Sequence, residues 1–258
     1  MSTFLWESIA FGPIHSRRLG HSLGINLLPI DVKICSFNCL YCECGWTLEK
    51  SLTAREYYPV EEVLQAIEYK LIRCRDNNVP VDSITFSGNG EPTLHPHFDK
   101  IIDRLIPLRD QYYPNAVISC LSNATQLVRP EVRAALQRIE NPLLKLDAGT
   151  QEMLEIINAP IVPVDIEEVV GHLKSFDGNL IIQSMFLSGE KEGVPFDNSE
   201  DPNFSQWLQR VVEIRPRKVM VYSLDRETPA LQLHKFDKEK LEEIAEKVRA
   251  KGITTETY

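Results

Sequence analysis

The sequence predicts an α/β fold in which parallel strands are covered by helices. From about residue 82 onward, short runs rich in β-branched residues alternate with helical patterns. The 258 residues are 43% hydrophobic and 25% charged, which is typical of a globular chain. Because α/β barrels commonly reach this length as one unit, we expect a single domain over residues 1–258.

Six strands and seven helices are expected in this order. Strands are predicted where apolar and β-branched side chains follow one another, over residues 23–28, 83–87, 116–121, 143–146, 179–187 and 218–222. Helices are predicted where apolar side chains recur at helical spacing, over residues 60–75, 97–108, 130–139, 151–158, 165–176, 204–214 and 238–251. Two stretches without either pattern, residues 43–59 and 188–203, are predicted to be loops that border a functional site.

Charge and hydropathy argue against several classes of protein. The net charge of −9 disfavours nucleic acid as a principal partner, because phosphate binding requires basic residues. An uncharged apolar run of about 18 residues, which a membrane span needs, is absent from the sequence. Residues 1–10 lack a basic start and contain Glu7, unlike a signal peptide. We therefore predict a cytoplasmic protein whose clustered cysteines bind metal.

Three of the six cysteines lie in one short loop after the first predicted strand. Cys35, Cys39 and Cys42 are separated by three residues and then by two. Thiolates suit iron–sulfur clusters or zinc. Three protein ligands leave one iron of a [4Fe-4S] cluster open for chemistry, whereas structural metal sites are closed. The alternative is a structural zinc site with Cys44 as the fourth ligand, although Cys44 lies awkwardly close to Cys42.

The motif Cys-x3-Cys-x2-Cys, with Tyr41 directly before the last cysteine, resembles the signature of the radical S-adenosylmethionine (SAM) superfamily. The resemblance implies that the three cysteines hold a [4Fe-4S] cluster and that SAM binds its open iron, with Tyr41 beside the adenine. One electron, from an external flavodoxin-like or ferredoxin-like donor, then cleaves SAM to a 5′-deoxyadenosyl radical that abstracts hydrogen from a substrate. The implied architecture is a partial (β/α)6 barrel with the cluster at its top.

A glycine-rich turn follows the second predicted strand. Gly88-Asn89-Gly90-Glu91 resembles the Gly-Gly-Glu motif of the same superfamily, which binds the SAM amino group through backbone carbonyls and the acidic side chain. The departure is Asn89, which lies between the glycines. Glycine-rich turns also commonly connect a strand to a helix without binding a ligand.

Polar residues recur at or near the ends of the later predicted strands. Barrel enzymes build their sites at these ends, and here they carry Ser122, Asn123, Asp147 and Gln183. The resemblance implies that some of them contact the ribose and the methionine carboxylate. The alternative for Asp147 is that it caps the helix predicted over residues 151–158.

Further segments resemble the branch of the superfamily related to wyosine-synthesis enzymes, whose members include tRNA-modifying enzymes and proteins of unassigned role. These segments surround Arg17, Arg18, Asp147, Asn158 and Asp225. The two arginines are candidates for contact with an anion or substrate, or for ion pairs with acidic neighbours. Cys44, Cys74 and Cys120 are too scattered to hold a second cluster, which with the acidic charge disfavours a tRNA substrate.

The expected substrate is a macromolecule, a protein or peptide more than a nucleic acid. After Asp225 the sequence predicts one helix and a tail, with no long extension to cover an open barrel. An RNA-modifying enzyme is the first alternative. The second is a non-catalytic iron–sulfur electron carrier or metal-stabilised protein, which would have no use for Gly88, Gly90 and Glu91. His95 and His97 are predicted to start a helix and not to act in catalysis.

Overall fold

The computed structural model describes residues 4–48, 56–226 and 228–258, and its centre is a largely parallel sheet. The strands of these residues are β1 (Ala10–Ser16), β2 (Gly20–Ile25), β3 (Ser83–Phe86), β4 (Val117–Ser122), β5 (Asn141–Lys145), β6 (Ile181–Met185), β7 (Leu187–Lys191), β8 (Val194–Asp197), β9 (Lys218–Tyr222), β10 (Leu233–Lys235) and β11 (Thr255–Thr257). The helices are α1 (Val60–Asp76), α2 (Phe98–Tyr112), α3 (Pro130–Leu136), α4 (Gln151–Ile157), α5 (Ile166–Lys174), α6 (Asn203–Ile214) and α7 (Lys238–Arg249).

The main sheet has the strand order β1-β2-β3-β4-β5-β6-β9-β11. The hairpin β1–β2 is antiparallel, and every other neighbouring pair is parallel. Six consecutive neighbours, from β2 to β9, match the six predicted strands in order. The predicted α/β class with parallel strands is confirmed, as a sheet that stays open between its end strands β1 and β11.

The helices pack on the sheet because their apolar side chains recur on one face. Ile67 and Leu71 of α1 and Trp207 of α6 are fully buried in the main core. Trp207 also fixes two strand ends, since its Nε1 donates to Leu146 O at 2.9 Å and to Ser184 Oγ at 3.1 Å. The ends of β5 and β6 that carry the site are thereby held by the core.

Residues 188–203, predicted to be a loop, instead contain the hairpin β7–β8. Together with β10 the hairpin forms a separate antiparallel sheet. The prediction was wrong because this hairpin is short and half-exposed, so it lacks a continuous apolar run; Val194, for example, is 60% exposed. Gly193, with φ of +83°, provides its turn.

Two end strands were also missed. β1 precedes the first predicted strand, and β11 follows α7, where the sequence predicted only a tail. Each of these strands pairs with one neighbour only and is largely exposed or half-buried, so it carries no continuous apolar run. The other predicted loop, residues 43–59, includes residues 49–55, which lie outside the described residues; residues 43–48 and 56–59 contain neither helix nor strand. Among the described residues, no helix is long and apolar enough to cross a membrane.

Candidate cluster and cofactor site

The cysteine loop is buried at the carboxyl end of the sheet. Cys35 and Cys39 are 8% and 7% exposed and pack with Phe37. Two backbone hydrogen bonds turn the loop, from Cys42 N to Cys39 O at 3.0 Å and from Gly45 N to Cys42 O at 2.9 Å. The structure therefore brings all three predicted metal ligands into one small region.

The end of α4 holds the opposite side of this loop. Asn38 N donates to Ala159 O at 3.0 Å, and Leu40 N donates to Ile157 O at 2.9 Å. These bonds fasten the loop to a segment that is more than a hundred residues away in sequence. The position of the cysteines is therefore a product of the tertiary fold.

Amide groups donate hydrogen bonds to two of the sulfurs. Asn123 Nδ2 lies 3.4 Å from Cys35 Sγ, and Asn158 Nδ2 lies 3.4 Å from Cys39 Sγ. Such N–H donors stabilise negative charge on sulfur and tune iron–sulfur centres. The donors around these cysteines thus fit thiolates that bind metal.

A lysine that the sequence analysis missed lies beside the same sulfurs. Lys33 is 3% exposed, and its Nζ donates to Gly45 O at 2.8 Å. Burial opposes its charged form, but thiolates at Cys42, Cys35 and Cys39 outweigh that effect and raise the pKa of Lys33. A buried ammonium among thiols fits an anionic metal–thiolate group.

The thiols of this loop differ in acidity. Burial raises the pKa of Cys35 to about 12. A hydrogen bond from Cys44 lowers the pKa of Cys42, with help from the Lys33 ammonium and against the effect of burial. Cys44 Sγ also lies 3.3 Å from Gly88 O, so it spans the cysteine loop and the glycine-rich turn. Within the described residues, no three His, Cys, Asp or Glu side chains lie close enough together to hold a single metal ion.

The glycine-rich turn is bridged to the cysteine loop. Ile34 N donates to Asn89 O, and Glu91 N donates to Ile34 O, both at 2.9 Å. Gly90 has φ of +138°, and a Cβ there would lie 1.8 Å from Ile34 O, so only glycine fits. Gly88 has φ of +137°, and a Cβ there would lie 2.5 Å from Asn26 Oδ1.

Asn89, the departure from the Gly-Gly-Glu pattern, has a structural role. It is fully buried, and its Oδ1 accepts from Trp6 N at 2.7 Å. Its Nδ2 donates to Trp6 O and Pro29 O, each at 2.9 Å. These hydrogen bonds connect the turn to the segment before β1. They occupy the polar atoms of the Asn89 side chain, which is therefore structural.

Glu91 joins the loops that follow β3 and β4. It is 2% exposed; its Oε1 accepts from Thr93 N at 3.1 Å, and its Oε2 accepts from Asn123 N at 2.6 Å. Burial raises the pKa of Glu91, while these hydrogen bonds and the nearby Ser122 hydroxyl oppose the rise. Glu91, Ser122 and Asn123 are therefore neighbours.

Asp147 is the centre of a second buried network. Its Oδ2 accepts from Tyr41 OH, from Asn158 Nδ2 at 2.8 Å and from Lys145 Nζ at 3.2 Å. Its Oδ1 accepts from Met185 N at 2.8 Å. The alternative that Asp147 caps the following helix is wrong, because Thr150 Oγ1 accepts from Met153 N and caps α4.

Lys145 was missed although the sequence contained a signal for it. Lys145 is the last residue of β5 and lies two positions before Asp147, so its place at the strand end was the signal. The Lys145 side chain is 14% exposed. Burial alone would lower its pKa, but Asp147 and other nearby groups raise it above the usual value, so the ammonium form is favoured.

Gln183 lies apart from both networks. Its Nε2 donates to Leu143 O at 3.2 Å, and its Oε1 is 3.5 Å from an Arg18 nitrogen. The Arg18 guanidinium lies 4.9 Å from the centre of the Tyr222 ring. Arg17 instead forms an exposed ion pair with Asp225 at 2.9 Å, so the ion-pair alternative holds for Arg17.

Cys74, Cys120, His95 and His97 have structural positions. Cys74 and Cys120 are 4% and 0% exposed within the main core. His95 Nε2 lies 2.9 Å from Tyr58 O, and His95 Nδ1 accepts from His97 N at 3.1 Å, just before α2. The histidines thus start a helix, as predicted.

The sequence comparisons show the family. The model of the radical SAM superfamily matches residues 30–193, and the chain belongs to this superfamily. It is 34% identical over 188 residues to the UPF0026 protein MJ1312 of Methanocaldococcus jannaschii, covering 71% of this chain. The chain spans 56% of the length of that relative. The predicted membership of the radical SAM superfamily, whose cofactors are a [4Fe-4S] cluster and SAM, is confirmed.

Solved structures share the fold at low identity. A radical SAM methyltransferase from Sphaerobacter thermophilus has a TM-score of 0.67 at 15% identity, covering 92% of this chain and 65% of that one. Streptococcus suis SuiB bound to its precursor peptide SuiA has a TM-score of 0.60 at 14% identity, covering 91% and 48%. TYW1 with a lysine–pyruvate adduct has a TM-score of 0.59 at 12% identity, covering 89% and 73%.

Proposed function

We propose that Cys35, Cys39 and Cys42 hold a [4Fe-4S] cluster and that the chain cleaves SAM reductively to modify a protein or peptide. The observation that carries the proposal is the joining of the buried cysteine loop to the glycine-rich turn through Ile34 and Gly90. When bound, the cluster supplies one electron to SAM. That electron comes from an external donor, for which we propose a flavodoxin-like or ferredoxin-like protein.

The chain's own residues would position SAM in three ways. Gly88 and Gly90 leave room for close backbone approach, and Glu91 is a buried acceptor suited to the methionine amino group. Tyr41, adjoining the last cysteine, would lie beside the adenine. Asp147 presents a fixed carboxylate suited to ribose hydroxyls.

Asn123 and Ser122 would act mainly through Glu91 and the sulfurs. Asn123 binds both Glu91 and Cys35, and Ser122 lies beside the Glu91 carboxylate. Gln183 is the weakest of the proposed SAM contacts, since its partners are Leu143 and Arg18. A contact with SAM would require Gln183 to change partners.

A protein or peptide substrate is favoured by the charges around the mouth of the sheet. Two arginines there are paired with carboxylates, Arg17 with Asp225 at 2.9 Å and Arg226 with Glu43 at 2.7 Å, whereas Arg18 contacts Gln183 and the Tyr222 ring. With a net charge of −9, such a rim offers little attraction for phosphates. The similar fold of SuiB, which was solved with a precursor peptide, is consistent with this substrate class.

RNA modification is the second candidate, because the chain resembles the wyosine-related branch and shares its fold with TYW1.

We propose a cytoplasmic location, since the six cysteines are free thiols and a reducing compartment keeps thiols in that state.

The test is anaerobic reconstitution of the full chain followed by an assay for reductive SAM cleavage. Wild-type protein should bind four irons per chain, as expected for one cubane cluster, and form 5′-deoxyadenosine. Cys35→Ala, Cys39→Ala and Cys42→Ala should each abolish both properties. Cys74→Ala is the matched control, because Cys74 lies in α1 within the core. A wild-type protein that binds a single zinc ion would refute the proposal.

The substrate class is tested by adding fractions of a cell extract to the reconstituted enzyme. We expect a protein fraction to stimulate 5′-deoxyadenosine formation and protease treatment to remove the effect. Sensitivity to nuclease would favour RNA instead. Stimulation by the low-mass filtrate alone would refute a macromolecular substrate.

A further inference from the structure

The two buried lysines of the site have different partners. The Lys145 ammonium lies 3.2 Å from the Asp147 carboxylate. The Lys33 ammonium binds the neutral carbonyl of Gly45 at 2.8 Å. Within residues 4–48, 56–226 and 228–258, no carboxylate forms an ion pair with Lys33, although Lys33 is only 3% exposed. Burial of an unpaired charge is costly, so its compensation must come from elsewhere.

The sulfurs are the groups that can compensate it. Lys33 is two residues before Cys35, and its partner Gly45 is bonded through its own N–H to Cys42 O at 2.9 Å. These two hydrogen bonds hold the buried Lys33 ammonium against the cysteine loop, one residue contact away from Cys42. The proposed ligands are therefore the nearest groups of this loop that would carry negative charge when they bind metal.

We propose that Lys33 is the buried counter-charge of the metal–thiolate group and that its ammonium raises the reduction potential of the cluster. This inference rests on the proposed function of the three cysteines. Reduction adds one electron, and so one negative charge, while no bond in the protein forms or breaks. A fixed positive charge in a poorly solvated site stabilises the reduced form more than the oxidised form. Lys33 is therefore a positioning residue that acts through the cluster.

A purely structural role predicts different behaviour. The hydrogen bond to Gly45 O closes the loop from residue 33 to residue 45, and any donor of similar length could do this. Lys33→Gln keeps a donor and removes the charge. Lys33→Met removes both, and Lys33→Arg keeps both. Lys218→Met is the matched control. Lys218 is the first residue of β9, at the end of the strand away from the proposed site, and its ammonium pairs with Glu256 at 2.8 Å.

The experiment is a redox titration of the anaerobically reconstituted full chain, followed by electron paramagnetic resonance, with iron content measured on the same samples. For Lys33→Gln and Lys33→Met we expect the equilibrium constant for reduction to fall about tenfold or more, which is about 59 mV for a one-electron couple. Lys33→Arg and Lys218→Met should keep the wild-type potential.

Each outcome decides between the two roles. An unchanged potential in both neutral variants overturns the proposal. Loss of the cluster in the neutral variants alone, with Lys33→Arg loaded normally, supports the need for a positive charge. Loss in all three variants shows a requirement for the exact side-chain shape and overturns it. Wild-type protein without a [4Fe-4S] signal would instead refute the proposed function itself.

Discussion

Gly90→Ala should weaken the fold by breaking the bridge between the glycine-rich turn and the cysteine loop. The new Cβ would lie 1.8 Å from Ile34 O, a backbone atom that no rotamer change can move. Backbone strain at this φ of +138° costs about 1–3 kcal/mol. The clash also threatens two backbone hydrogen bonds through Ile34, each contributing about 0.5–1.5 kcal/mol.

Gly193→Ala separates the backbone strain from the effect of the clash. Gly193 also has a positive φ, +83°, but a Cβ there meets nothing within 4 Å. It should therefore lose only the strain term, about 1–2 kcal/mol. We expect Gly90→Ala to be less stable than Gly193→Ala by about 1–3 kcal/mol, the contribution of the two hydrogen bonds, which is a large part of the stability of an ordinary domain.

The assay is urea unfolding of the metal-free chain, with tryptophan fluorescence as the recorded signal. Gly90→Ala should also take up less iron than Gly193→Ala on reconstitution, because Ile34 adjoins Cys35. Equal losses of unfolding free energy in the two variants would refute the argument from close approach.

Three further variants test the buried polar groups. Asp147→Asn leaves Lys145 without its counter-charge and should cost about 3–5 kcal/mol of unfolding free energy; adding Lys145→Met should recover part of it in a double-mutant cycle, and strict additivity would contradict the pairing. Burial lowers the pKa of His95 below its unfolded value of about 6.5, so its contribution is present above that pH and lost as pH falls toward the folded pKa. His95→Gln should accordingly lose less stability than wild type between about pH 7.5 and 5.5, and an equal loss in urea titrations would contradict this. Trp207→Phe removes two buried hydrogen bonds and should lower the unfolding free energy by about 2–4 kcal/mol, whereas a change below about 0.5 kcal/mol would show that they contribute little.

The parallel strands were predictable because they are buried on both faces. β4 and β9, for example, are nearly continuous runs of apolar residues, and helices with apolar stripes separate them. The hairpin β7–β8 was not predictable in this way, since its exposed positions break the pattern. The same difference in burial explains why the six central strands were expected and the more exposed end strands β1 and β11 were missed.

Parts of the site were also visible in advance. The spacing of Cys35, Cys39 and Cys42 is local, and so is the pair of glycines that a close approach requires. The partners of these residues are not local: Asn158 reaches Cys39 across 119 positions, and Asn123 reaches Cys35 across 88. Only the paired strands bring such groups together.

The sequence by itself determined the order along the chain of the six central strands and the seven helices, and the chemical type of the proposed ligands, because periodicity and short motifs depend on near neighbours. The tertiary structure decided the charges around them. It buried Lys33 among the thiols, paired Lys145 with Asp147 and directed Asn89 away from the site. Desolvation depends on everything that packs around a group, and this environment is assembled from segments distant in the chain.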